Sequence, residues 1–263
     1  MVHLSISNIG WAPENDEYVY GLMRKYGFSG IEIAPTRVFP EKPYDHLGET
    51  KKWAENLKKQ YGFYVSSMQS IWFGRQEKIF GSKEEREALL EYTKKAIDFA
   101  KTAGCKNLVF GCPRNRNLPE GSSDEVAVVF FKSLGDYASE NGTVIGMEAN
   151  PPIYNTNYIN TTQQAINLIE RVNSSGFKLN LDVGTIIENG EDVEKLKGKI
   201  NLINHIHISE PGLKPIKRRS LHKEIKEILD RENYSGFVSI EMGKTGDTAV
   251  LEECMEYVRG IFG

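Results

Sequence analysis

The chain has 263 residues, 40% hydrophobic and 26% charged, a balance that supports a packed core and excludes a disordered polymer. Its formal net charge of −3 and pI near 6.0 give no electrostatic basis for a nucleic-acid partner and favour small substrates. No apolar run approaches the ~18–20 residues of a membrane span, MVHLSISNIG lacks the features of a signal peptide, and Cys105, Cys112 and Cys254 form no CxxC pair, so a reduced, cytoplasmic, single-domain protein over 1–263 is expected.

Short runs rich in Val, Ile, Leu and aromatics recur along the chain, each followed by a longer segment with helical spacing of apolar residues. The strand candidates are 2–7, 29–33, 63–68, 106–111, 143–148, 177–182, 203–209 and 237–241. Helices are expected at about 15–26, 46–61, 83–103, 122–141, 161–173, 188–199, 218–232 and 248–261. Ser82 with Glu85, and Thr161 with Gln164, have the spacing of capping boxes that satisfy the first N–H groups of a helix. Gly27, Gly62, Gly104 and Gly142 precede strands, where a left-handed residue lets the chain leave a helix. Eight strand–helix units with right-handed crossovers close most economically into a single (β/α)8 barrel, an α/β fold; a doubly wound open sheet is the competitor.

Barrels of this kind carry chemistry at the C-terminal ends of their strands. Strand five ends VIGMEAN with Glu148, strand six ends KLNLD with Asp182, strand seven reads NHIHISEP with His207, and strand eight ends VSIEMG with Glu241. Carboxylates at the ends of apolar strands are costly to bury unpaired, so a cation is expected to face them. Three carboxylates and an imidazole suit a divalent metal, Mn²⁺ or Mg²⁺ before Co²⁺ or Zn²⁺. Any single one of these residues would be read as a helix cap, an ion-pair partner or a core histidine; four consecutive strands make the metal reading the stronger one. His205, on the same strand face, is either a core histidine or a partner of His207.

In these positions the chain resembles the xylose-isomerase-like barrels, a group that includes sugar-phosphate isomerases, ketose 3-epimerases and endonuclease IV enzymes. The resemblance implies that Glu148, Asp182, His207 and Glu241 hold one metal, manganese first. It further implies that Glu148 and Glu241 are the acid/base pair that moves a proton next to a carbonyl, through an enediolate. The chain departs from the epimerase pattern at Thr185, where a substrate-binding His is usual, at Tyr154, where a second Glu is usual, and at Leu213, where Lys214 is adjacent to the position of a substrate Arg. Members of the group are often dimers or tetramers, so a homo-oligomer is implied.

The substrate is expected to be a small carbohydrate, with or without a phosphate. Arg114 and Arg116 have the fork geometry for an anion, Lys214 and Lys217 follow strand seven, and Gly243-Lys244-Thr245-Gly246 opens the last helix in a place where barrels bind phosphate. Gln69, Trp72, Asn150 and Tyr154 are expected to contact the substrate, with Trp11, Phe73 and Glu32 also near the mouth and Glu210 beside His207. Ordinary core, rim and capping roles are the alternatives for each. The leading function is a metal-dependent sugar or sugar-phosphate isomerase/epimerase; a dehydratase or lyase on a hydroxy-keto acid and a non-catalytic carbohydrate-binding barrel are the alternatives. A three-metal repair nuclease is excluded, because the chain has only five histidines.

Overall fold

In the computed structural model, which describes residues 2–263, the apolar runs form β1 (His3–Ser7), β2 (Gly30–Ile33), β3 (Tyr64–Met68), β4 (Leu108–Phe110), β5 (Ile145–Met147), β6 (Phe177–Asp182), β7 (Ile203–Ile208) and β8 (Phe237–Ile240). Each strand pairs in parallel with the next and β8 pairs with β1, closing the barrel. The helices are α1 (Asp16–Tyr26), α2 (Pro35–Val38), α3 (Leu47–Tyr61), α4 (Lys83–Ala103), α5 (Glu125–Glu140), α6 (Thr162–Val172), α7 (Val183–Asn189), α8 (Ser220–Arg231) and α9 (Thr248–Phe262). No helix among the described residues is long and apolar enough to cross a membrane.

Local chemistry sets the helix ends. Ser82 and Thr161 form reciprocal capping boxes with Glu85 and Gln164, and Gly27, Gly62 and Gly104 end α1, α3 and α4 at positive φ, a conformation only glycine adopts without a Cβ clash. The sixth helix departs from the spacing. It follows β6 at once, over Val183–Asn189, and not 188–199. Asp182 accepts from Thr185 N and so starts the helix inside LDVGT, while Gly190 at φ 61° stops it, leaving 3₁₀ turns over Val193–Leu196 and Ile200–Leu202.

Strand alternation divides the sheet into two faces. Outward residues such as Ile6, Ile31, Ile33, Phe110, Ile206 and Ile240 are buried against the helices. The inward face is polar along much of its length. Ser5 shares a hydrogen bond with Ser66 at 2.6 Å, and Asn107 Nδ2 donates to Ser67 Oγ at 2.9 Å. Glu32, Asn180, His205, His207 and Ser239 are buried in the same interior. Phe237 occupies the space beside Gly30: a Cβ there would stand 2.5 Å from the ring. The β2–β3 register shifts between Ile31 and Glu32, and the β6–β7 register between Leu179 and Asn180. Both irregularities lie just below the functional end of the barrel, where bulges re-aim side chains.

Candidate metal centre

Glu148 follows β5 directly, Asp182 ends β6, His207 lies in β7 and Glu241 follows β8. Asp182 is register partner to His207, and His207 to Ser239, so alternation turns Asp182, His207 and Glu241 into the same interior. One ligand-type atom from each of Glu148, Asp182, His207 and Glu241 lies within 4.8 Å of the others. His207 Nδ1 is the common neighbour, 3.0 Å from Glu148 Oε1 and 3.3 Å from Glu241 Oε2.

These residues are oriented from behind. Glu148 Oε1 accepts from Asn180 Nδ2 at 3.0 Å and its Oε2 from Asn150 Nδ2 at 3.1 Å. Asp182 Oδ2 accepts from Thr185 N and Oγ1 at 2.7 and 2.8 Å, and Ser209 Oγ donates to its other oxygen. Gly111 leaves the room that Glu148 needs, since a Cβ on it would meet Glu148 Oε2 at 2.9 Å.

The electrostatics call for a cation. Burial, reinforced by Glu148, raises the Asp182 carboxyl above its usual range. Burial pushes Glu241 up to about 7, against the pull of His207. Burial opposes the His207 imidazolium, yet Glu241, Glu32 and Glu148 together hold its pKa well above 6.5. The His207 imidazole is the cationic side chain in direct contact with Glu148 and Glu241, and a divalent ion with its oxygen preference suits a set of three carboxylates and one imidazole. The residues present therefore fit a divalent metal.

Three of the four, Glu148, Asp182 and Glu241, line a cavity of about 660 Å³, the size of a small-molecule site; His207 lies fully buried behind them. Gln69, Trp72, Arg114, Asn150 and Tyr154 also line the cavity. Arg114 is exposed. Tyr154 is half-buried and its hydroxyl accepts from Gly212 N at 2.9 Å, so it ties the loop after β7 to the loop after β5. Asn150 and Gln69 are nearly buried and turned to neighbours: Gln69 donates to Ser7 Oγ and to Glu32 Oε1.

Other residues stand apart from the expectations. Arg116 is fully buried and donates to Glu148 O at 2.9 Å, Asn150 Oδ1 at 2.8 Å and Ile159 O at 3.3 Å. A guanidinium so enclosed is not free to grip a substrate anion; from the loop after β4 it braces the loop after β5 that carries both Glu148 and Asn150. Lys214 is exposed and is not among the cavity's lining residues. Trp72 is 3% exposed, packs edge-on to Phe110 and donates Nε1–H to Thr93, which leaves little of the indole to stack on a sugar; Phe73, at 70% exposure, is the open aromatic. Trp11 is buried and bonded to Asp16. Gly243-Lys244-Thr245-Gly246 precedes α9 and does not open it, the helix being capped by Asp247. Glu210 is bound bidentately by Arg219 at 2.7 and 2.6 Å.

Two functional-looking residues, Asn180 and Ser209, escape a reading of strand ends, and Glu32, expected near the mouth, is not among the cavity's lining residues. Glu32 faces His207 Nε2 at 2.8 Å and His205 Nε2 at 3.3 Å. Asn180 and Ser209 hold Glu148 and Asp182. The period-2 pattern carries a usable signal, for Asn180 stands two before Asp182, Ser209 two after His207, and Glu32 is a charge inside the apolar run GIEI.

Residues 21–260 match the model of the family described as "Xylose isomerase-like TIM barrel". No curated protein sequence matches the chain. Among solved structures the fold is similar to that of 3-keto-D-glucoside 4-epimerase from E. coli (TM-score 0.78, 18% identity, 99% of this chain and 100% of that one). It is similar to D-psicose 3-epimerase determined in the presence of D-fructose (0.78, 16%, 100% of both chains). A sugar phosphate isomerase/epimerase from Parabacteroides distasonis is a further neighbour (0.70, 16%, 98% and 92%). At such identities these likenesses concern the fold, whereas the family match covers nearly the whole sequence: the chain belongs to the xylose isomerase-like TIM barrel family.

Proposed function

We propose that this protein is a metal-dependent isomerase or epimerase of a sugar or sugar phosphate, moving a proton through an enediolate. The observation that carries the reading is the approach of Glu148 and Glu241 to one point, His207 Nδ1, from β5 and β8 on different sides of the barrel. Glu148, Asp182, His207 and Glu241 would hold the metal, Mn²⁺ first and Mg²⁺, Co²⁺ or Zn²⁺ after it. When bound, the ion supplies electrostatic stabilisation to charge developing on neighbouring substrate oxygens and makes the proton between them more acidic.

The chain's own groups do the rest. One of Glu148 and Glu241 removes the proton and the other returns it, general acid–base work for which two carboxylates facing a carbon suffice. Asn180 and Asn150 fix the Glu148 carboxylate, and Arg116 holds the loop that carries both. Arg114, on the cavity wall, makes no ion pair among the described residues and supports a phosphorylated or otherwise anionic substrate. Cys105, Cys112 and Cys254 are unpaired thiols, which suits the cytoplasm.

The test is turnover in D₂O with Mn²⁺ over a panel of aldoses, ketoses and their phosphates. Deuterium should enter the substrate carbon without loss of water, and both Glu148→Gln and Glu241→Gln should abolish its entry. Release of water to a conjugated product would assign the site to a dehydratase instead, and no exchange with any substrate would leave a binding barrel.

A further inference from the structure

We propose that Glu32, a residue of the strand interior, is a positioning residue that sets His207 to present Nδ1 to the metal. This rests on the metal reading above. Glu32 is fully buried, and its Oε2 lies 2.8 Å from His207 Nε2, opposite the nitrogen that faces Glu148 and Glu241. A buried ionised carboxylate accepts only, so Nε2 must keep its proton, and the lone proton of a neutral ring leaves Nδ1 as the free donor.

The carboxylate is itself fixed. Gln69 Nε2 donates to Glu32 Oε1 at 3.0 Å and also to Ser7 Oγ, so β1, β3 and β2 together aim one group at β7. His205 Nε2 stands 3.3 Å from Glu32 Oε2 and makes no aligned hydrogen bond, which adds a second imidazole edge to the same oxygen. Glu32 touches none of the cavity-lining space, so its action runs through His207.

The experiment measures the Mn²⁺ dissociation constant by calorimetry for wild type, Glu32→Gln and Gln69→Leu, with the apo-protein melting temperature alongside. Glu32→Gln keeps the shape and removes the charge, and should weaken Mn²⁺ by about 10- to 100-fold, the usual cost of losing a carboxylate behind a ligating histidine. Gln69→Leu leaves the charge but frees its orientation and should weaken Mn²⁺ several-fold. Ile31→Val, one residue away on the outer strand face, should lower the melting temperature without changing the dissociation constant. Nitrogen-15 spectra of the histidines should show Nε2–H on His207 in the metal-loaded wild type and a mixture in Glu32→Gln. An unchanged dissociation constant in folded Glu32→Gln and Gln69→Leu would overturn the inference while leaving the metal site intact; wild-type protein that binds no divalent ion would remove both.

Discussion

Replacing Gly111 with alanine should separate folding from function. Gly111 has no positive φ, so its backbone accepts alanine; the new Cβ, however, meets Glu148 Oε2 at 2.9 Å and Asn150 Oδ1 at 3.4 Å. Ordinary van der Waals separation lies near 3.4 Å or beyond, so the carboxylate must move by about half an ångström. That movement costs modest stability, because the clashing atom is the end of a side chain and not backbone, although it strains the hydrogen bonds from Asn150 and Asn180; a change of about 1 kcal/mol and a melting temperature within a few degrees of wild type are expected. The position of the carboxylate is what suffers. Glu148 would be turned from the point it shares with His207 Nδ1, and a displacement approaching 1 Å at a reacting group can cost about 100-fold. We therefore expect Mn²⁺ affinity reduced roughly tenfold and turnover reduced 10- to 100-fold, measured by calorimetry and by solvent-deuterium exchange. A folded Gly111→Ala protein with wild-type affinity and exchange would refute the reasoning, since Glu148 could then not be held to its place by the missing methyl.

Metal affinity should rise with pH. His207 and Glu241 hold protons to higher pH than usual in the metal-free protein, with Glu241 near 7; the metal needs both deprotonated, so affinity should gain up to about tenfold per pH unit for each proton displaced. Titrations at several pH values giving one constant would contradict this. Stability should fall with acid for a separate reason. Burial lowers His222 from 6.5 to about 4, so the unfolded chain binds its proton first and folding stability, intact above pH 6.5, declines as pH drops towards 4; His222→Gln should flatten that part of the melting-temperature profile. Arg219→Met would strip Glu210, which is 2% exposed, of its bidentate partner. A loss of about 2–3 kcal/mol is expected in urea unfolding, below the ~3–5 of a wholly enclosed pair because Arg219 is partly open to water.

The sequence pattern carries the barrel well and the interior poorly. All eight strand candidates overlap observed strands, and the two capping boxes are formed, because both depend on local periodicity and on residues three apart. The sixth helix is displaced because Asp182 both ends β6 and caps α7, its Oδ2 accepting from Thr185 N, a double role that apolar spacing does not reveal. Arg116 illustrates a harder limit. Its neighbours in sequence, Arg114 and Asn115, suggest an open polar loop, and only the fold shows that it turns inward to three acceptors from the next βα loop. Glu32 is legible as a residue of interest but not in its role: its partner is 175 positions away, so local context shows a charge in an apolar strand without showing what it meets.

The central claim is that Glu148, Asp182, His207 and Glu241 together hold one divalent metal. Elemental analysis of the purified protein, with Asp182→Ala and Glu241→Ala purified in parallel, tests it most directly. About one equivalent of a divalent metal should accompany the wild-type chain and be lost from both variants. A wild-type protein without stoichiometric divalent metal after incubation with Mn²⁺, or variants that retain it in full, would contradict the account.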